Sequence, residues 1–152
     1  MPDLSLSRLD EGQLALAYPL IRAAARVSLE RWKTFARQLI ASGGGILAVG
    51  ADDGCLHGVA SFREVGSLRF ERSLQVDILV AFELSRMAPV RRALCAGLEG
   101  IAREMGCRSI IFTTAARNAE PASAGRLSWE ELGLKMETVS FVRHVQPEAA
   151  AP

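Results

Sequence analysis

Residue types that carry much of protein chemistry are scarce in this chain. Its 152 residues include three Cys, two His and one Tyr. Cys55, Cys95 and Cys107 show neither C-x-x-C spacing nor histidines at ligand spacing, so neither a disulfide framework nor a structural zinc site is expected. His57 and His144 each fall in a predicted strand, away from any serine or cysteine motif that would complete a catalytic triad. The scarcity argues against a metal site and against a triad hydrolase.

Charge of one sign and long apolar runs are also lacking. The 18 Lys and Arg residues nearly balance the 17 Asp and Glu residues, and a net charge of +1 gives no general attraction to nucleic acid or to an anionic membrane. No apolar stretch reaches the ~20 residues of a membrane span, and no basic and apolar leader of a secretory signal opens the sequence. We therefore expect one cytoplasmic domain over residues 1–146 and a disordered tail over residues 147–152.

The first half of the sequence predicts two helices followed by a hairpin. The predicted elements are a strand over residues 4–9, a helix from residue 14 after the N-cap Asp10, a helix from residue 29 capped by Ser28 and ended by Gly43-Gly44-Gly45, and two strands over residues 46–49 and 56–62 around a Gly/Asp turn. Pro19 lies inside the first helix and should kink or split it. Leu68 and Phe70 are expected to continue the sheet.

The second half predicts a parallel crossover. Residues 73–82, SLQVDILVAF, form a long strand, with the even-numbered residues from Val76 on one face and the odd-numbered residues from Gln75 on the other. Pro89 suits the first position of the next helix, which Gly106 caps. Residues 109–113 form the following strand, and this strand–helix–strand order makes the two strands parallel. A loop over residues 118–125, a short helix over 127–132 and a final strand over 136–145 complete the chain.

Together these elements predict an α+β fold with a mixed, mostly antiparallel sheet flanked by helices and one parallel βαβ crossover. The chain resembles the GNAT (GCN5-related N-acetyltransferase) superfamily over almost its whole length, in four segments: ILAVGADDGCLHGVASF, LVAFELSRMAPVRRALCAGLEGIAREMGC, SWEELGLK and FVRHV. The resemblance implies that the strands over residues 73–82 and 109–113 splay apart and that the pantetheine arm of an acyl-CoA fills the gap.

The resemblance also places a cofactor loop before the helix that starts at Pro89. The family's motif, Arg/Gln-x-x-Gly-x-Gly/Ala, lets backbone N–H groups at a helix N-terminus bind a diphosphate. Arg86 matches the leading residue, whereas Pro89 and Arg91 replace the two glycines, and Pro89 removes one donor. Arg86, Arg91 and Arg92 can still attract a diphosphate by charge; alternatively, Arg91 and Arg92 are solvated residues of the first helical turn. The residues that the resemblance assigns to the cofactor are Leu79, Val80, Ala81, Arg86, Ala88, Pro89, Val90, Arg91, Arg92, Asn118 and Trp129.

The tyrosine that many GNAT enzymes use as general acid has no counterpart here. SWEELGL aligns with the family's Phe-Tyr-Glu-x-Leu-Gly-Phe and places Trp129 at the tyrosine position, while the one tyrosine of the chain is Tyr18. An indole N–H donates hydrogen bonds but cannot deliver a proton near neutral pH. The resemblance therefore makes Trp129 an apolar wall of the channel. Asn118 matches the family's asparagine only if the preceding loop carries extra residues.

Asp77 and Glu83 are the candidates for a general base. In the family a carboxylate on this strand can deprotonate the acceptor amine, directly or through water, and Asp77 holds such a position. The alternative is that Asp77 is a polar residue on a half-solvated face. Glu83 is the weaker candidate, because at the start of the loop it could instead cap the helix or pair with Arg86.

The acceptor side of the molecule is open to two interpretations as well. Trp32 and Phe35 either floor an acceptor pocket or belong to the core. Arg22, Arg26 and Arg31 either recognise an acceptor or lie on a solvated helical face.

Two functions follow from the residues and the resemblance. The first is an N-acyltransferase that uses acetyl-CoA or another acyl-CoA, with catalysis by positioning and by backbone N–H groups near Leu79 to Ala81. The second is a catalytically inactive GNAT-like binding or regulatory domain, which the missing glycines and tyrosine favour. The retained Arg86 and the strand before it favour the N-acyltransferase over the inactive domain. The expected partners are a small-molecule or peptide amine and a second copy of the chain, with no nucleic acid and no membrane.

Overall fold

The computed structural model describes residues 3–147 of the chain. The chain divides into two compact units, Met1–Thr114 and Ala115–Pro152. The prediction of one domain over residues 1–146 stays a prediction, and residues 148–152 of the predicted tail lie outside the described residues. The helices and strands are β1 (Leu4–Arg8), α1 (Leu14–Ala24), α2 (Leu29–Ala41), β2 (Gly45–Ala51), β3 (Leu56–Ser67), β4 (Glu71–Val76), β5 (Leu79–Ala81), α3 (Pro89–Glu104), β6 (Ser109–Phe112) and α4 (Ala124–Glu131).

The first unit is built on one six-stranded sheet. Its strands follow the order β1-β2-β3-β4-β6. The short strand β5 pairs with β3 as well, at residues 58–60, whereas β4 pairs with residues 63–67 of β3. Every pair is antiparallel except β4 with β6, which are parallel and joined through α3. The predicted mixed sheet with a single parallel crossover is therefore confirmed.

Helices cover the two faces of this sheet. The stripe Val90, Leu94, Leu98 of α3 packs on one face, with Leu74 and Val76 of β4 in the same buried cluster. On the other face α1 and α2 bury their apolar stripes against β2 and β3. At Gly58 in β3 an added Cβ would lie 2.5 Å from Cγ1 of Val90, so glycine is what lets the start of α3 approach the sheet this closely.

The predicted helix signals are confirmed by the contacts. Ser28 caps α2, since its Oγ accepts from the backbone N–H of Arg31 at 3.1 Å. Asp10 is the N-cap of a 3-10 helix, Glu11–Gln13, that leads into α1, and its backbone N–H donates to the side chain of Gln13 at 3.0 Å. Gly106 follows α3 with a φ of +71°, the left-handed conformation that glycine adopts without strain.

A split of the first helix and an extension of the sheet by Leu68 and Phe70 are both wrong. Pro19 does not split the first helix, because α1 continues through it to Ala24, and a kink at Pro19 stays a prediction. Proline removes one backbone hydrogen bond, and here the freed carbonyl belongs to exposed Ala15, where water can satisfy it. Leu68 and Phe70 do not extend the sheet, since both lie in a turn that Ser67 closes by accepting from the N–H of Phe70 at 2.9 Å.

The second unit departs further from the sequence prediction. α4 begins at Ala124 rather than at residue 127, because the Oγ of Ser123 accepts from the N–H of Arg126 at 3.1 Å and caps the helix there. A 3-10 helix, Ala116–Ala119, overlaps the start of the loop predicted over residues 118–125. Residues 136–145, which include FVRHV, form no strand in the described part of the chain, because their alternating pattern meets no strand partner there.

Candidate functional site

The long strand predicted over residues 73–82 is broken at Asp77 and Ile78. β4 ends at Val76 and β5 begins at Leu79. Ser61, a buried residue of β3, spans the break: its N–H donates to the Ile78 carbonyl at 2.9 Å and its Oγ accepts from the Ile78 N–H at 3.0 Å. The hydroxyl thus satisfies a backbone group that the strand ladder leaves without a partner.

The break exchanges the two faces of the strand, and the predicted alternation is wrong from Ile78 onward. Val76 packs in the α3 core, whereas Ile78 and Val80 pack against the α1 and α2 side. Leu79 and Ala81 correspondingly face the α3 side. An irregularity of this kind re-aims side chains, and such irregularities are common next to active sites.

The sheet opens beyond the break, as predicted. Parallel pairing of β4 with β6 reaches Val76 and Phe112, with a last bond from the N–H of Thr113 to the Val76 carbonyl at 3.0 Å. β5 pairs with β3 instead, through residues 79–81. Within the described residues β5 and β6 share no ladder, so a wedge separates them.

The backbone of β5 presents polar groups to this wedge. Ile78 and Phe82 direct their backbone groups toward β3; the N–H of Phe82 donates to the His57 carbonyl at 2.7 Å. Successive residues of a strand point these groups in opposite directions. The N–H and C=O of Leu79 and Ala81 therefore face away from β3, toward the side where β6 has diverged.

A polar cluster stands at the mouth of the wedge. Asp77 is its centre: Oδ2 accepts from Nε of Arg63 at 3.1 Å and Oδ1 from Nε2 of Gln75 at 3.3 Å. Gln75 also donates to the Oγ1 of Thr113 at 2.7 Å, which ties the cluster to the end of β6. The Asp77 side chain keeps 32% of its surface exposed. The carboxylate is thus held in place and remains accessible to solvent.

Glu83 caps α3 from the loop that precedes it. Its Oε1 accepts from the backbone N–H of Val90 at 2.8 Å and of Arg91 at 3.1 Å. Its Oε2 is buried and has no hydrogen-bond partner in the described part of the chain. Pro89, at the first helical position, has no N–H to offer. The carboxylate therefore occupies the positive end of the helix, where an external anion would bind.

The remaining cofactor candidates of the loop surround this cap. Arg86 is exposed, and Ala88 adopts a left-handed φ of +51° as the chain turns into α3. The Nε of Arg92 donates to the Met87 carbonyl at 2.9 Å, and its backbone N–H bonds to the Ala88 carbonyl at 3.1 Å. The first turn of α3 thus carries arginine side chains, while all of its backbone N–H groups are already engaged.

Asn118 and Trp129 belong to the second unit. Asn118 lies in the 3-10 helix with its side chain against Gly125, where an added Cβ would collide with it. Trp129 lies in α4, and its carbonyl accepts from the N–H groups of Leu132 and Leu134. Their roles at a cofactor stay predictions.

A pocket of about 190 Å³ lies on the α1 and α2 side of the strand break. Its lining residues are Ile21, Ala25, Val27, Arg31, Trp32, Phe35 and Ile78. Trp32 is therefore both a core residue and a pocket wall. The sequence did not decide whether Trp32 and Phe35 line a pocket, and it did not single out Ser61 or Ile78. The one feature that could have indicated Ser61 is that it is a serine inside the buried run from Val59 to Phe62.

The described residues give no indication of a cysteine nucleophile, a metal site or a membrane-spanning helix. Burial raises the pKa of the Cys95 thiol, and desolvation does the same for Cys107, so neither thiol is activated as a nucleophile. Residues 3–147 contain no group of three or more His, Cys, Asp or Glu side chains placed to hold a metal ion. None of the helices in that range combines the length and the apolar character that crossing a membrane requires.

Comparison with known proteins identifies the fold. No protein-family model and no curated protein matches the chain. Among solved structures, aminoglycoside N-acetyltransferase AAC(6')-Iy in complex with CoA has a TM-score of 0.79 at 15% identity, over 95% of this chain and 96% of that chain. The ribosomal-protein-alanine N-acetyltransferase of Brucella melitensis biovar Abortus 2308 has a TM-score of 0.71 at 20% identity, over 95% and 100%. A GNAT family acetyltransferase of Staphylococcus aureus has a TM-score of 0.71 at 11% identity, over 95% and 100%. The chain has the GNAT acetyltransferase fold.

Proposed function

We propose that this chain, which has the GNAT acetyltransferase fold, transfers an acyl group, most simply acetyl, from an acyl-CoA to an amine. One observation carries the proposal: the wedge between β5 and β6 opens at the residues whose backbone groups face it, Leu79 and Ala81. A pantetheine arm is an extended chain with two amides, and a free strand edge offers such a chain a ladder of hydrogen bonds. A structure of a fold neighbour with CoA supports the same co-substrate.

The reaction then proceeds by direct attack. The neutral amine attacks the thioester carbonyl carbon, the C–S bond breaks with its electron pair on sulfur, and the thiolate takes a proton from solvent. A backbone N–H of Leu79 or Ala81 stabilises the negative charge that develops on the carbonyl oxygen, because it is fixed in a strand before the reaction begins. Most of the rate enhancement comes from this electrostatic term and from positioning.

Asp77 is the general base in this scheme. It takes the proton that the amine loses, directly or through one water. Arg63 and Gln75 each engage one carboxylate oxygen, which fixes the direction of its remaining lone pairs. Glu83 has no such role, because both of its hydrogen bonds hold the N-terminus of α3.

At the start of α3 some residues favour binding of the CoA diphosphate and one residue opposes it. Arg86, Arg91 and Arg92 supply positive charge around the helix start, and Arg side chains bind phosphate oxygens well. The Glu83 carboxylate holds the two N–H groups that a diphosphate would otherwise take. Binding of the diphosphate therefore requires either displacement of Glu83 or contacts with the arginines alone.

This same carboxylate favours a second function, a catalytically inactive GNAT-like binding or regulatory domain. A helix terminus that is already capped by the chain's own acid has less need of a ligand. The lack of a tyrosine at the position of Trp129 points the same way.

Thermal unfolding with acetyl-CoA, CoA and pantetheine tests the proposal, since a ligand that binds the folded state raises Tm by mass action. We expect all three compounds to raise Tm, and acetyl-CoA and CoA to raise it more than pantetheine does. In the double variant Arg86→Ala/Arg91→Ala this difference between the CoA compounds and pantetheine should disappear. Arg103→Ala/Arg108→Ala, at the other end of α3, is the charge-matched control and should keep it. A Tm that none of the compounds changes would contradict acyl-CoA binding. Release of CoA with an amine panel then separates the enzyme from the inactive binding domain.

A further inference from the structure

We propose that the pocket beside Ile78 selects the acceptor: a primary amine that carries one apolar group of about the size of a benzene ring and a carboxylate. The inference rests on the proposed acyl transfer and adds to it the chemical class of the acceptor. It follows from the volume of the pocket, from its chemistry, and from the residue that lies beside it in the chain.

The walls of the pocket are fixed before any ligand arrives. The Tyr18 hydroxyl donates to the Val27 carbonyl at 2.9 Å and so holds the connection between α1 and α2. Nε1 of Trp32, which is buried, donates to the Leu14 carbonyl at 2.8 Å. The rings of Trp32 and Phe35 pack with centroids 6.2 Å apart. A preformed pocket loses little conformational freedom on binding.

The size and the lining define the apolar part of the acceptor. The pocket has a volume of about 190 Å³, and all but one of its lining residues are apolar. An apolar protein cavity of about 150 Å³ is known to accept benzene. A phenyl ring or a branched alkyl group therefore fits, whereas a sugar ring would bury several hydroxyl groups without hydrogen-bond partners.

Charge defines the second part. Arg31 is the one charged residue of the lining, and its side chain is exposed. Within residues 3–147 no acidic side chain forms an ion pair with it, and the lining contains no carboxylate. Arginine pairs with a carboxylate through two parallel hydrogen bonds. The pocket thus favours an acid and disfavours a polycation such as the aminoglycosides of the fold neighbours.

The strand break connects the pocket to the chemistry. Ile78 lines the pocket, and the residue before it is Asp77, the proposed base. Because Asp77 and Ile78 are adjacent at the break, we expect an amine two or three bonds from the apolar group to approach Asp77 while that group stays in the pocket. Ser61 fixes this arrangement because it binds both backbone groups of Ile78.

Binding measured without acetyl-CoA tests the pocket separately from the reaction. The probes are phenylalanine, phenethylamine, which lacks the carboxylate, glycine, which lacks the apolar group, and kanamycin, a polycation. We expect phenylalanine to bind best, and Arg31→Gln to weaken it about tenfold, as the loss of a hydrogen bond to a charged group predicts. Phenethylamine should be unaffected by that change. Arg37→Gln, on the same helix and outside the lining, is the matched control.

Ala25→Leu is a second test of the pocket, because the larger side chain fills the pocket without changing its charge. It should abolish phenylalanine binding while circular dichroism and Tm show a folded protein. Phenylalanine binding that survives both Arg31→Gln and Ala25→Leu would overturn the proposal, and so would preferred binding of kanamycin. If phenylalanine binds as expected but no acetyl transfer occurs, the pocket is correct and the acyltransferase is wrong. If acetyl transfer occurs to amines regardless of Arg31, the acyltransferase is correct and the pocket is wrong.

Discussion

Ser61 holds Ile78 at the break between β4 and β5 with two of its hydrogen-bonding groups, its backbone N–H and its side-chain oxygen. Ser61→Ala leaves the N–H of Ile78 without an acceptor, which should cost about 1–3 kcal/mol of unfolding free energy. It should also lower kcat for acyl transfer, since Asp77 and the N–H groups of β5 lose their fixed positions. Urea unfolding and a CoA-release assay measure the two effects.

Ser73 provides the matched control for that change. It is equally buried, and its hydroxyl bonds to the hydroxyl of Ser109 at 2.8 Å, at the closed end of the β4–β6 pair. Ser73→Ala should lower stability without lowering kcat. Equal effects of the two variants on kcat would contradict a specific role for the break.

The cap of α3 makes a prediction about affinity for CoA. Glu83→Ala removes an anion that competes with the diphosphate, so it should lower the stability of the free protein by about 1 kcal/mol, as loss of a helix cap does. The same free energy should appear as about fivefold tighter binding of CoA. Pantetheine, which lacks the diphosphate, should bind equally well to both proteins. Calorimetric titration checks this, and weaker binding of CoA to Glu83→Ala would show instead that the cap preforms the site.

Much of the fold could be predicted because local signals there agree with the tertiary structure. The apolar stripes of α2 and α3, the Ser28 cap and the Gly/Asp turn each depend on residues close together in the chain. The parallel crossover followed from element order alone, since a helix between two strands imposes it. The splay beyond Val76 came from the family resemblance, not from periodicity.

The details of the candidate site could not be predicted, because they depend on distant residues. SLQVDILVAF contains no glycine or proline that would mark an interruption, and the break within it depends on Ser61, 17 residues before Ile78 in the chain. The residues alone allowed Glu83 to be a base, a helix cap or a partner of Arg86, and the choice among these depends on how the loop folds back over seven residues to Val90. The prediction of a split at Pro19 failed for the opposite reason, because it considered only local structure. Proline removes one helical hydrogen bond, and the tertiary packing of Ala17 and Ile21 stabilises the helix by more than this loss.

Acid should weaken the β2–β3 turn through Asp53. The pKa of this carboxyl lies below its ordinary value of 3.8, chiefly because it accepts from the Cys55 N–H, and also because of His57. A pKa that is lower in the folded state stabilises the fold above the unfolded value, and the benefit is lost as pH falls through the folded value. Asp53→Asn should therefore lower the urea midpoint at pH 6 but not well below pH 3.8. Asp52→Asn is the control, and a difference that grows in acid would contradict the assignment.

The family resemblance predicts that a tyrosine at position 129, now Trp129, would act as the proton donor that this chain lacks. Trp129→Tyr should raise kcat by part of the about 10²- to 10⁴-fold that a positioned acid contributes. Trp129→Phe, which cannot donate a proton, is the control and should not raise it. Steady-state rates at saturating acetyl-CoA measure the change. Equal rates for the two variants would mean that proton delivery to the thiolate is not limiting, or that α4 is not the helix in question.

Tyr18 should contribute to acceptor binding but not to proton transfer. Its hydroxyl donates to the Val27 carbonyl, so it acts on the wall of the pocket and has no free proton for the reaction. Tyr18→Phe should lower the unfolding free energy by about 0.5–1.5 kcal/mol, the net value of one hydrogen bond. It should also raise KM for the acceptor, because Val27 lines the pocket, and leave kcat unchanged. A general acid behaves in the opposite way, since its removal lowers kcat by about 10²- to 10⁴-fold with KM little changed. Steady-state kinetics with varied acceptor therefore separate the two roles, and a collapse of kcat in a folded Tyr18→Phe protein would identify Tyr18 as the acid and place the reacting thiol beside α1.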